Sequence, residues 1–390
     1  MKIAVVCDSF KGSLTSKDAC AAVKDGLLRC NKNFEVLSLP FADGGEGTSR
    51  CFYDILGGQL RKAAVHDPLL REITAEYTVL PDGTAVIDVA SASGLTLLKS
   101  SERDAVKVSS LGSGELICDA AEHGAKHIIL GLGGSATTDA GTGILYALGM
   151  RFFSEDGVEV LPDGQNMIRV KKIRRTENFE RFKDIKFTLA CDVTNPLCGE
   201  NGAAYVFSPQ KGASKNDVKL LDDGLRNIGE IFEKASGKKI INLPGAGAAG
   251  GIGGGLSAFL NCELQSGFDV LARAASLEDK IRRSDAVITG EGNTDRQTLF
   301  GKLPKRVSDI AEKFGVPCIL LSGDVENDIS AEKLGVCEIH KIKENGISLE
   351  HCMKNAASLL SERAFAIGKD SKIINKQYSS KQEKMRENER

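Results

Sequence analysis

Ile3-Ala-Val-Val-Cys7, then Asp8-Ser-Phe-Lys-Gly-Ser-Leu-Thr15, then Ser16 to Arg29, then Phe34-Glu-Val-Leu-Ser-Leu39 is the stretch on which the fold turns. The first segment is a five-residue apolar run that reads as a strand. Residues 16–29 carry Ala19, Ala22, Val23, Gly26 and Leu27 at i, i+3, i+4, i+7 and i+8, which predicts a helix. Thr15 and Asp18 are placed like the capping box that would start it. With a second strand at Phe34–Leu39 this is a βαβ opening, and it predicts a parallel sheet.

Beyond that opening the pattern changes and then returns. Ile73–Leu80 and Thr84–Val89, joined by Pro81-Asp-Gly83, predict a hairpin. A helix over Glu115–Glu122, ended by Gly124, precedes a strand at His127–Leu132, and residues 150–185 read as a charged, irregular excursion. A strand at Phe187–Cys191 and a helix at Asn216–Ala235 follow, then a glycine tract with a candidate strand at Lys239–Leu243 before it. The chain closes with a helix over Val270–Arg282, strand Ala286–Thr289, helix Leu303–Phe314, strands Cys318–Leu321 and Cys337–Ile342, and helix Leu349–Ala366. From Lys369 on, seven basic and four acidic residues with little apolar periodicity read as a solvated tail.

Composition narrows the class. Gly supplies 42 of 390 residues against only 9 Pro, so the excess serves backbone geometry and not a linker or collagen repeat. A 42% apolar content supports true cores, and the length suggests two to three domains. The formal charge of −2 supplies no global field for DNA or an anionic membrane. Eleven Cys without a C-x-x-C pair, several inside apolar runs, are expected to be reduced thiols of a cytoplasmic protein. The uncharged run Leu243–Cys262 is 20 residues long but contains seven Gly and one Pro, which argues against a membrane span.

Chemistry gathers at the predicted strand ends, where open α/β sheets bind ligands. Acids sit among glycines after nearly every strand: Asp8 to Ser13, Asp43 to Thr48, Gly131 to Gly143, Asp192 to Asn195, Gly290 to Asp295, and Gly323-Asp324. The segment Leu130-Gly-Leu-Gly-Gly-Ser-Ala-Thr-Thr-Asp139 follows a strand and opens a helix, an arrangement suited to a phosphate. It also fits G-x-G-x-x-A, as Gly245, Gly247 and Gly250 fit G-x-G-x-x-G, so a dinucleotide fold is weighed as well. The acids about 20 residues further, Glu155 and Asp156, fall in the irregular excursion and weaken that reading. No G-x-x-x-x-G-K-[ST] is present, and the five His lie outside the strand ends. Acids, glycines and the lysines Lys11, Lys211 and Lys302 suit phosphoryl transfer, in which Mg²⁺ and cations act on phosphate oxygens and a carboxylate takes the acceptor proton.

The same blocks carry a family resemblance. Asp8 to Ser16, Pro40-Phe-Ala-Asp-Gly-Gly-Glu-Gly-Thr48, Gly133-Gly-Ser-Ala-Thr-Thr-Asp-Ala-Gly141, Cys191-Asp-Val-Thr-Asn-Pro-Leu197, Phe207-Ser-Pro-Gln-Lys-Gly-Ala213, Gly247-Ala-Ala-Gly-Gly251 and Ile288 to Thr298 with Gly301-Lys302 resemble type I bacterial glycerate kinases. The resemblance implies a two-domain α/β kinase without a P-loop that phosphorylates D-glycerate with ATP and Mg²⁺, usually at the 2-hydroxyl, although phosphorylation at the 3-hydroxyl is also assigned to such enzymes. Under it, Lys11 with the Ser9 and Ser13 hydroxyls is the candidate for the glycerate carboxylate. Asp192 and Asp43 are preferred for the base or for a Mg²⁺-linked water. Glu291 and Asp295 come next, and Asp192, Glu291 and Asp295 are the candidate metal ligands. Gly133, Gly134, Ser135 and Thr137, with Gly290 and Gly292, are candidates for nucleotide phosphate.

The expected architecture is a Rossmann-like α/β domain over residues 1–64 and 275–366, with a mixed α/β domain inserted at 65–274, a cleft between them and a flexible tail at 367–390. An NAD-dependent 2-hydroxy-acid dehydrogenase and a non-catalytic small-anion sensor stand as alternatives. No nucleic-acid or membrane partner is expected, and the oligomeric state is left open, a homodimer included.

Overall fold

The computed structural model describes residues 1–42, 44–344 and 346–377. Strand β1 (Lys2–Cys7) leads through helix α1 (Ser16–Cys30) to β2 (Glu35–Pro40), which lies parallel to β1 in the register Ile3 to Val36. The βαβ opening forms for the reasons its sequence suggests. Ile3, Ala4, Val5 and Val6 are wholly buried, Ala19, Val23 and Leu27 of α1 face the core, and Thr15 Oγ1 accepts the Asp18 N–H at 3.1 Å.

The chain then enters a second compact unit, Gly44–Val270; the other unit takes its described residues from Met1–Asp43 and Leu271–Arg390. The crossings fall at residues 43/44 and 270/271, where the sequence suggested 64 and 275. The reason is α2 (Thr48–Leu56), which buries Cys51 and Phe52 and ties Ser49 Oγ to Thr78 Oγ1 and the Val86 carbonyl, both at 2.9 Å. Its neighbours are β3 (Gln59–His66), β4 (Glu72–Val79) and β5 (Ala85–Asp88), all antiparallel in sequence. The β4/β5 hairpin matches expectation. β3 was not anticipated, because Arg61, Lys62 and His66 give an edge strand little apolar pattern.

Helix α3 (Leu111–Glu122), β6 (His127–Gly131), α4 (Thr142–Ala147), β7 (Lys186–Ala190), α5 (Lys215–Ser236), α6 (Ala248–Phe259) and β8 (Asn261–Gln265) complete this unit. Its six strands run in the order β8-β7-β6-β5-β4-β3, with β5 to β8 parallel. The excursion at 150–185 contains an antiparallel ribbon, Met150–Phe153 with Lys172–Arg175, that buries Phe152. Lys239–Leu243 is not a strand: Glu233 Oε1 accepts the Ile240 and Ile241 N–H groups (2.8 and 3.0 Å) and holds the segment to the end of α5.

Across the 270/271 crossing the chain makes two short helices, Gly267–Ala274 and Leu277–Arg282, in place of the single one expected; Ser276, at φ 50°, breaks them. Then come β9 (Ala286–Gly290), α7 (Leu303–Lys313), β10 (Cys318–Ser322), β11 (Glu338–Lys341), α8 (Leu349–Lys354) and α9 (Ala356–Asp370). The sheet order is β11-β10-β9-β1-β2, all parallel, which bears out the expected α/β class. α9 extends past residue 366, and Ile367 and Ile374 are buried in the core, so the polar segment begins later than 367. Residues 378–390, the rest of the expected tail, lie outside the described residues. Among the described residues no helix is long and apolar enough to cross a membrane.

β1 is the switch point of this sheet: α1 carries the chain to β2 on one side, while β9, β10 and β11 extend the other. The carboxyl ends of β1 and β9 are joined by a 2.9 Å hydrogen bond from Asp8 N–H to the Gly290 carbonyl. The topology therefore opens a crevice at those ends.

Candidate functional site

The crevice holds a cavity of about 710 Å³ built entirely from the first unit. The loop after β1 contributes Asp8, Ser9, Lys11 and Ser13, the loop after β9 Glu291, Gly292, Asn293 and Asp295, and β10 and β11 are followed by Asp324 and Lys343. Its charges are largely paired. Lys302 Nζ donates to both Asp295 oxygens (3.1 and 3.4 Å), and Lys343 Nζ donates to Asp324 Oδ2. Burial pushes the Asp295 and Asp324 carboxyls up, but the partner lysines together with backbone N–H groups outweigh it and hold both below the ordinary carboxylate range. Glu291 differs: it is 6% exposed, Thr298 Oγ1 donates to it at 2.7 Å, and burial leaves its carboxyl above the ordinary value.

In the second unit the carboxyl ends of parallel β5, β6 and β7 also cluster. Gly133, two residues past β6, donates its N–H to the Gly44 carbonyl (3.1 Å); a Cβ there would lie 2.5 Å from Gly45 Cα, so only glycine fits. Behind this turn Lys211, 3% exposed, donates to Ser135 Oγ (2.9 Å) and to the Thr137 carbonyl (2.6 Å). Burial lowers its ammonium to about 7, against the pull of the Asp139 charge. Asp139 caps the turn, accepting from Ser110 N–H (2.9 Å), Ser110 Oγ (2.7 Å) and Gly141 N–H (3.0 Å). Thr137 Oγ1 is buried without a hydrogen-bond partner among the described residues. Gly250, at φ 69°, lies so near that a Cβ would meet the Thr137 carbonyl at 2.0 Å.

The profile of the glycerate kinase family matches residues 3–372. The chain belongs to the glycerate kinase family. It is 41% identical to a protein named glycerate 2-kinase from Escherichia coli K12, over 84% of this chain and 87% of that one. To a glycerate kinase from Halalkalibacterium halodurans it is 38% identical over 93% of this chain and 96% of the other. A crystal structure assigned to glycerate kinase 2 of Salmonella typhimurium LT2 superposes with a TM-score of 0.83 at 35% identity, covering 94% of this chain and 97% of that one.

With the glycerate kinase family established, the residues singled out from sequence fall into two groups. Ser9, Lys11, Ser13, Glu291, Gly292 and Asp295 line the first-unit cavity. Within it Lys11 is exposed, and Ser13 Oγ donates to the Met353 carbonyl at 2.7 Å. Gly290 ends β9, its carbonyl taken by Asp8, and Gly292 gives its carbonyl to Asp324 N–H (3.2 Å). Gly133, Gly134, Ser135 and Thr137 form the second-unit turn, where Gly134 accepts the Leu95 N–H at 2.9 Å. Asp192 belongs to the second unit, exposed two residues beyond β7. Asp43 lies outside the described residues.

The dinucleotide alternative loses its footing. Gly245 to Gly250 follow no strand, and Glu155 and Asp156 sit exposed in a turn closed by Ser154 N–H to the Val158 carbonyl (2.9 Å). Of the three acids expected to share Mg²⁺, Glu291 is turned to Thr298 and Asp295 to Lys302 in the first unit, and Asp192 belongs to the second. Among the described residues no three His, Cys, Asp or Glu side chains are grouped to hold a metal ion.

Sequence reading missed Asp88, a lone acid at the end of an apolar run. It is 4% exposed and accepts the Gly47 and Ser49 N–H groups (2.9 and 3.0 Å), holding the start of α2 beside Gly131. Burial raises its carboxyl to about 7, although both N–H groups pull it down. The folded state thus keeps a proton that an unfolded Asp loses near pH 4. The stability this contributes is full below about pH 4 and is lost as pH rises through about 7. Asp88→Asn, with no proton to lose, is expected to gain in Tm relative to wild type between pH 5 and pH 8. Equal Tm differences at the two pH values would contradict the assignment.

Proposed function

We propose that the chain transfers the γ-phosphoryl group of ATP to D-glycerate, at the 2-hydroxyl, in the cytoplasm. The hydroxyl oxygen attacks phosphorus, the bond to the ADP oxygen breaks, and the hydroxyl proton passes to a carboxylate, for which Asp192 is preferred. Lys11, with Ser9 beside it, takes the glycerate carboxylate, and the Gly133–Thr137 turn with Lys211 behind it faces phosphate. Mg²⁺ enters as the companion of ATP, neutralising charge on the phosphates and held mainly by them, as is usual for that ion. What carries this reading is that the family match spans both strand-end clusters, so that acids, lysines and glycine turn all fall within it.

ADP release measured with and without D-glycerate tests the reaction, and phosphorus NMR of the product tests its position. ADP appearing only with glycerate, and a 2-phosphate signal, are expected. Release independent of glycerate, or none, would remove the reading. Lys11→Met is expected to raise the glycerate KM roughly tenfold or more, since a charge-assisted hydrogen bond is worth about 1.5–3 kcal/mol. An unchanged KM would remove the carboxylate role.

A further inference from the structure

The first-unit cavity has two unlike ends. One is the lysine and acid end already described. The other is apolar: Phe10, Ile342, Cys352 and Ala356 are buried at 3 to 5% exposure, while Leu349 and Met353 are 61% and 38% exposed. Leu349 and Met353 stand four residues apart on α8, on one face of the helix, and both line the cavity. Two large apolar side chains held open toward a cavity call for an apolar occupant.

Glycerate is not that occupant. A three-carbon hydroxy acid is polar on every carbon and would leave most of about 710 Å³ empty. A nucleotide matches both ends at once, with a flat, polarisable base against the apolar wall and a polyphosphate toward the lysines. The thioether of Met353 and the aliphatic Leu349 suit the face of an aromatic ring. The place is also right, because the cavity lies outside the carboxyl ends of β1 and of the parallel strands β9 to β11 that extend the sheet beside it.

We infer that the apolar end of this cavity, walled by Phe10, Ile342, Leu349 and Met353, seats the base of an adenine nucleotide, with its phosphates directed to the lysine end at Lys302 and Lys343. The inference rests on the kinase reading for the choice of adenine nucleotide, and on the first unit's own geometry for the location. Every residue in it belongs to that one unit.

The chain contains no Trp, so Leu349→Trp installs a single tryptophan, excited selectively over the tyrosines, on the cavity rim. Its emission is expected to change saturably with ADP and to stay unchanged with D-glycerate or with inorganic triphosphate. A response to glycerate but not ADP, or an equal response to triphosphate and ADP, would overturn the inference. Met353→Glu supplies the second measurement. It sets a carboxylate against the base and is expected to weaken ADP binding about tenfold or more in calorimetry, with the circular dichroism of the folded chain retained. Unchanged ADP affinity in that variant overturns the inference whatever the reporter does. Glycerate-dependent ADP release by the wild type is scored separately, so a wrong acceptor and a wrong nucleotide site give different results.

Discussion

Asp192→Asn is expected to lower kcat for glycerate-dependent ADP release by ~10²-fold or more, the usual worth of a positioned general base. The substitution preserves shape and hydrogen-bonding capacity but removes the ability to take a proton. The position supports the role. Asp192 lies just past the carboxyl end of β7, and that strand end is fixed from both sides: Leu132 N–H donates to the Ala190 carbonyl (3.1 Å) and Cys191 N–H to the Gln265 carbonyl (2.9 Å). An exposed carboxylate on so rigid a base can be aimed without being buried. The glycerate KM should change little, because the loss is confined to the transition state. Activity within about threefold of wild type would remove Asp192 from proton transfer and leave another acid in its place.

Lys211→Met should lower kcat roughly 10- to 100-fold while leaving the fold intact. Lys211 acts through the turn it pins, as a positioning residue: without its bonds to Ser135 Oγ and the Thr137 carbonyl, the segment can drift, and a displacement near 1 Å costs ~10² in rate. Methionine fills similar space without a buried charge, so stability should not fall with activity. The sign of the pH effect separates this from simple misfolding. Burial depresses the folded-state pKa to about 7, so the buried ammonium costs wild-type stability below that pH, and the cost fades as pH rises toward 10.5. The Tm of Lys211→Met relative to wild type should therefore be highest near pH 6 and decline toward pH 10. A variant with full activity, or one whose relative Tm shows no such decline, would sink this account of Lys211.

Much of the layout was legible before any coordinates. The spacing of Ala19, Val23 and Leu27, and the run Ile3 to Cys7, encode a helix and a strand locally, and the structure returns both. The acids and glycines after the strands were legible for the same reason, since a turn that follows a parallel strand is written in consecutive residues. β3 was hidden because an edge strand with one wet face needs few apolar residues. Leu349 and Met353 read as an ordinary amphipathic helix, and nothing in their spacing says that the apolar face is a cavity wall. Asp88 looked like the end of a hairpin strand, and its two N–H partners come from residues 47 and 49, on a different element.

By itself the sequence determined the α/β class, the parallel opening, the absence of a P-loop and the strand-end positions of nearly all the candidate residues, because each depends on neighbours within a turn or two of chain. Only the tertiary structure decided which strand ends share a crevice, where the chain crosses between units, and which charged groups are buried. Those follow from contacts such as Asp8 with Gly290 and Lys211 with Ser135, between residues far apart in the chain. The protonation of Asp88 and Lys211 is set by the solvent those contacts exclude, a quantity that no local pattern of residues carries.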